Sequence, residues 1–138
     1  MTRINLVPPQ ELTDQHLFAE FREIKMVPRS LARSLRARGV DGVLKMIPRE
    51  FVLGKGHVSF FYNKGAYLHE RYYQIKSELR HRGVKFDEAS RFDPDDVIEC
   101  NAFWHNWKPT AEALALIRAR IAERIALKPA GYRRTLCK

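Results

Sequence analysis

The chain has 138 residues, 45% of them hydrophobic, with a formal net charge of +9 and a sequence pI near 9.9. That length suits one domain around one core, and the positive excess points to a polyanionic partner, nucleic acid first and an anionic membrane surface second. No apolar run reaches the length a membrane span needs, about 18 residues; the N-terminus lacks the apolar core of a secretory signal; and Cys100 and Cys137 are too few for a disulfide framework, so an intracellular, cytoplasmic protein is expected.

In chain order, the first helix is predicted from Thr13 to Arg38. Leu17, Phe21, Ile24, Leu31 and Leu35 recur at helical spacing and form one core-facing stripe. Thr13 or Asp14 caps its start, Pro28 kinks or breaks it, and Gly39 ends it. The stretch from Phe51 to Tyr62 reads by pattern as a short hairpin turning near Gly54 and Gly56. A second helix is predicted from Asn63 to Arg82, with the stripe Leu68, Tyr72, Ile75 and Leu79 and a stop at Gly83. Residues 84–108 are irregular, with an acidic knot at Asp93-Pro-Asp-Asp96. The aromatic cluster Phe103, Trp104, His105 and Trp107 reads as a packing plug. A third helix is predicted from Thr110 to Leu127, between Pro109 and Pro129, with Leu114, Ile117, Ile121 and Ile125 as its stripe and Thr110 as its cap.

Three groups of residues suggest chemistry. Met1 precedes Thr2, a small residue, so methionine removal would give Thr2 a free α-amine. Such an amine has a pKa of about 7.8 against about 10.4 for lysine, so about a tenth of it is neutral at pH 7 and able to attack carbon. His16, Glu20 and Glu23 share one helix face, while Gln15, Arg22 and Arg29 form a second polar line. A carboxylate flanked by arginine suits proton abstraction beside a bound phosphate backbone; the plain alternative is a solvated charged face. Arg120, Arg124 and Lys128 follow one another by single turns, and the tail adds Tyr132, Arg133 and Arg134. Together they read as a phosphate-tracking stripe with an aromatic able to stack on bases, or else as a solvated face. Gly54-Lys55-Gly56-His57 lacks P-loop spacing and reads as a turn. The histidines at 16, 57, 69, 81 and 105 and the two cysteines show no metal-ligand spacing, so no metal is expected.

Three ordered blocks make the chain resemble the phage endonuclease V family, pyrimidine-dimer DNA glycosylases with AP lyase activity. The first is Met1-Thr-Arg-Ile-Asn-Leu6 with Glu11-Leu12, Asp14-Gln-His-Leu17, Ala19-Glu20 and Arg22-Glu23. The second is Leu53-Gly-x-Gly-His-Val58 with Phe60-Phe-Tyr62 and Lys64. The third is the final basic helix, Pro129 and Tyr132. The resemblance implies an all-α domain of three helices with long irregular loops and no real sheet, which displaces the hairpin reading. It also implies that the Thr2 amine attacks the sugar C1′ of a damaged nucleotide, that an imine forms, and that Glu23 promotes the proton loss leading to β-elimination. Arg3 and Arg22 match phosphate-holding residues, Gln15 and His16 match neighbours of the pocket, and Arg120 and Arg124 match basic DNA contacts. The implied partner is duplex DNA carrying damaged bases, bound by a monomer without metal or cofactor. The chain departs from the family at Met26, where the family has arginine, and in the tail Ala130-Gly-Tyr-Arg-Arg-Thr135, which keeps one aromatic. An abasic-site lyase with altered lesion range and a non-catalytic damage-binding module are the competing readings.

Overall fold

The computed structural model describes residues 4–92 and 101–135. Thr2, Arg3, the acidic knot and both cysteines lie outside that set. The described residues form α1 (Asp14–Glu23), α2 (Met26–Met46), α3 (His57–Phe60), α4 (Gly65–Arg82) and α5 (Ala111–Leu127). Short 3-10 turns lie at Pro9–Glu11, Asn101–Phe103 and Pro129–Gly131. No strand occurs among the described residues; an isolated bridge joins Lys64 and Trp104. The all-α architecture matches expectation.

The first predicted helix is two. The chain turns through Ile24 and Lys25, where the Val27 N–H donates to the Ile24 carbonyl at 3.3 Å. Pro28 causes this one turn upstream of itself. It has no N–H for the Ile24 carbonyl, and its ring crowds that same carbonyl. Within α2, Pro28 then occupies the first turn, where a missing donor costs nothing. Gly39, expected to end the helix, breaks α2 with φ 72 and ψ 175, a conformation open essentially to glycine, but does not end it; the helix resumes for residues 40–46.

The hairpin expected from pattern alone is absent. Residues 51–62 form a loop and the single turn α3. The α3 N-cap, Gly56, has φ 91, and a Cβ there would lie 3.3 Å from both Pro48 and Val52 side chains. The second and third helices lie close to prediction, with Thr13 and Thr110 accepting hydrogen bonds from His16 N and Ala113 N as side-chain caps of α1 and α5.

Leu17, Phe21, Ile24 and Leu31 are buried and meet Leu68, Tyr72, Ile75 and Leu79 of α4, while α5 adds Ala113 and Ile117. The aromatic plug forms around buried Phe103 and around Trp107, which packs against Phe51, Phe60, Phe61 and Tyr67; His105 stays exposed.

Two buried arginines of α4 organise the N-terminal segment and α1. Arg71 donates through Nε and Nη2 to Glu20 Oε2 and Oε1 at 2.6 and 3.0 Å, and through Nη1 to the Val7 carbonyl at 2.6 Å. Glu20 also accepts the Asn5 N–H at 3.1 Å. Arg82 bonds Glu78 and Asp14 at 2.9 and 3.0 Å and the Pro9 and Gln10 carbonyls at 3.1 and 3.3 Å. Residues 4–7 are thereby drawn into the core, with Ile4 0% and Asn5 3% exposed. Arg71→Met strands the Glu20 carboxylate in this interior, and we expect it to lose about 3–5 kcal/mol of stability in urea titration. Adding Glu20→Met should restore much of that loss, because both charges then leave together.

Candidate active site

One cleft, of about 330 Å³, gathers several of the residues singled out by sequence. Asn5, His16, Glu20, Glu23, Arg120, Arg124 and Tyr132 line it. Larger hollows of about 590 and 710 Å³ lie elsewhere, the first beside Leu6, Tyr67 and Trp107 and the second beside His69, Tyr73 and His81. Size is a poorer guide here than chemistry, because only the smaller cleft joins a carboxylate without a bonded partner to a pair of arginines.

The helix spacing puts His16, Glu20 and Glu23 on one face of α1. Their environments then separate them. Glu20 is consumed by Arg71 and the Asn5 amide. Glu23, half-buried, makes no hydrogen bond or ion pair with any described residue. From the opposite wall α5 projects Arg120 and Arg124. Arg120 has a loose contact with Glu123 at 3.8 Å, while its Nε is buried and has no acceptor. Asn5 Oδ1 is likewise buried without a donor. Such atoms forgo the bonds they had in water, a cost that an incoming polar or anionic ligand relieves.

His16 is fixed from two sides. Its Nδ1 lies 2.7 Å from Thr13 Oγ1, and its ring stacks on Tyr132, with centroids 4.7 Å apart and planes 6° from parallel. Tyr132 is brought there by the tail folding back on the start of α1. The Asp14 N–H donates to the Arg133 carbonyl at 2.7 Å, the Arg133 N–H donates to Gln15 Oε1 at 2.9 Å, and the Thr135 N–H and hydroxyl both donate to the Asp14 carboxylate. Gln15 therefore grips the tail and does not line the cleft. Arg22 is exposed beside it, its guanidinium over the Phe18 ring at 5.8 Å. Thr2 and Arg3 lie outside the described residues.

Sequence reading passed over two residues. Asn5 was visible only as part of a motif, and nothing in its own pattern signalled burial. His57 was taken as part of a turn. Its Nε2 accepts the Ile4 N–H at 3.0 Å, 53 residues away in sequence. One amine departs from ordinary basicity: burial pushes Lys64 down to about 8. Its Nζ donates to the Phe60 carbonyl and Asn63 Oδ1, each at 2.8 Å, and it does not line the cleft.

The sequence profile of the pyrimidine dimer DNA glycosylase family matches residues 1–92. The chain belongs to this family. The match covers the N-terminal segment, α1, α2, α3 and α4, whereas α5 and the tail, which complete the cleft, lie beyond it. Family membership makes damaged DNA the ligand of a basic, helical domain. Among the described residues no helix is long and apolar enough to cross a membrane.

Burial raises the Asp14 carboxyl, but hydrogen bonds from the Thr135 hydroxyl and amide and from Arg82 outweigh it and hold the group below its usual 3.8. A carboxyl lowered on folding stabilises the native state above its unfolded pKa and loses that contribution as pH falls through the folded value. The stability gap between wild type and Asp14→Asn should therefore be widest at neutral pH and shrink below about pH 4, measured by urea titration across pH.

Proposed function

We propose that this protein excises the base at pyrimidine dimers in duplex DNA and then cuts the strand as an AP lyase, with the α-amine of Thr2, freed by removal of Met1, as nucleophile. The observation that carries this is Glu23, left without a bonded partner in a cleft walled by Arg120 and Arg124 and by Asn5. Three peptide links join Asn5 to Thr2, a tether of at most about 11 Å.

The neutral amine attacks C1′, and the glycosidic bond breaks with its electron pair leaving on the base. Loss of the amine proton and opening of the sugar ring give an imine between Thr2 and C1′. Glu23 promotes removal of a C2′ proton, and the electrons released expel the 3′ phosphate and break the strand. Hydrolysis then frees the amine. A carboxylate at this point also stabilises the iminium charge, and an unpaired one is available to do so. Arg120 and Arg124, with Arg3 and Arg22, hold phosphates around the lesion, His16 shapes the pocket rim, and Gln15 acts from beside the cleft by holding the tail that carries Tyr132. Ring stacking of His16 on Tyr132 keeps that rim rigid. The chemistry uses no metal or organic cofactor, and one protein copy suffices.

Borohydride reduces an imine to a permanent crosslink, so the Met-processed protein should be trapped on a duplex with one dimer and on a duplex with one abasic site. An added residue before Thr2 should abolish both crosslinks. If capped protein is still trapped, Lys64 or another amine is the nucleophile. Trapping on the abasic duplex alone moves the protein to the abasic-site reading, and trapping on neither leaves a binding module.

Glu23→Gln should slow strand cleavage by about 10²- to 10⁴-fold while leaving affinity for damaged duplex near wild type, compared in single-turnover and equilibrium binding assays. Wild-type cleavage by that variant would sink the assignment. Binding should weaken steeply with salt, and replacing Arg120 and Arg124 together by alanine should flatten the slope of log K against log salt by about 2.

A further inference from the structure

The Gly54–His57 turn was left by sequence as a plain turn, and the chemistry above makes no use of it. We infer that His57 is a positioning residue that holds the N-terminal segment, through the Ile4 amide, in the register the Thr2 amine needs. The inference rests on the amine chemistry proposed above.

His57 is 2% exposed and sits at the start of α3. Its two ring nitrogens face two backbone groups. Nε2 is 3.0 Å from the Ile4 nitrogen, and Nδ1 is 2.9 Å from the Val52 carbonyl oxygen. A backbone nitrogen can only donate and a carbonyl can only accept. So Nε2 carries no proton, Nδ1 carries one, and the ring is the neutral Nδ1–H tautomer. Phe51 and Phe61 pack against the ring edge-to-face, with centroids 5.3 and 5.4 Å away. Gly56 lets the turn close tightly enough to deliver the ring, since a Cβ there would press on Pro48 and Val52.

The next amide along, Asn5, is held by Glu20. His57 and Glu20 therefore hold two consecutive amides of the N-terminal segment, those of residues 4 and 5. Thr2 follows two residues upstream, so any slip of register at Ile4 is passed directly to the nucleophile. Displacements of about 1 Å at a reacting group cost about 100-fold in rate.

Two substitutions separate positioning from mere packing. In His57→Gln, Oε1 stands where Nε2 stood and still accepts from Ile4. In His57→Asn, the shorter amide reaches only Val52. The full, Met-processed chain would be trapped with borohydride on a pre-formed abasic duplex under single-turnover conditions, with DNA affinity measured alongside. The expected result is trapping about 10- to 100-fold slower in His57→Asn, within about threefold of wild type in His57→Gln, and unchanged affinity in both. Equal rates in the two variants, whether both slow or both normal, would overturn the role while leaving the amine chemistry intact. Failure of wild type to be trapped would instead overturn the chemistry, and this role with it. In the wild-type protein, scalar coupling between the Ile4 amide and His57 Nε2 across the hydrogen bond reports the contact without any substitution, and its absence would also overturn the role.

Discussion

The ion pair of Glu20 with Arg71 is the interaction on which the cleft depends. Taking two charges out of water costs several kcal/mol for each ion. The cost is offset only when every polar atom finds a partner, and here nearly all do. The carboxylate accepts two guanidinium bonds and the Asn5 amide, and the guanidinium donates its remaining bond to the Val7 carbonyl. The same four contacts that satisfy the charges hold residues 5–7 inside the domain, where the chain turns tightly at Leu6, φ 58. Arg82 repeats the device further along α4, joining Asp14 of α1 to the carbonyls of Pro9 and Gln10. Helix α4 is thus a frame with two cationic hooks, and the N-terminal segment hangs from both.

This arrangement divides the acids of α1 by task. Asp14 and Glu20 are neutralised by arginines behind them and hold the scaffold. Glu23, one turn beyond Glu20, has no such arginine and faces the opposing cations of α5. Three carboxylates on one helix of ten residues therefore differ through what α4 places next to each. The place of the proposed reactive carboxylate is set as much by where the hooks stop as by the residues in the cleft.

Much of the frame was legible in sequence because it rests on local chemistry. Thr110 and Gly83 bound their helices, and the stripes of α4 and of α1 are buried as their period requires. The break before α2 was misplaced because proline acts on the carbonyl four residues before it, so the disturbance surfaces at Ile24 while Pro28 itself remains helical. Residues 51–62 misled because a short apolar run between glycines fits a strand or a single helical turn equally well. The cleft was harder to read. Spacing put Glu20 and Glu23 on one face but could not tell the buried scaffold acid from the one left without a bonded partner, since the difference lies in Arg71, 51 residues from Glu20. A faint signal did exist. Arg71 and Arg82 fall in register with Leu68, Tyr72, Ile75 and Leu79 on the inward stripe of α4, where an arginine needs a buried acid to answer it. Ile4 and His57 offered no such clue, as each is an ordinary residue until the other is beside it.

Closing the cleft joins the extremes of the chain. The bonds between Asp14 and Thr135 bridge 121 residues, and they bring Tyr132 onto His16. Contacts so distant in sequence form late, because the loop between them must first be ordered. During synthesis the hooks of α4 can engage α1 once Arg82 has emerged from the ribosome, whereas the wall made by α5 and the tail is added only after residues 111–135 have followed. The frame can thus stand before the cleft it carries is closed.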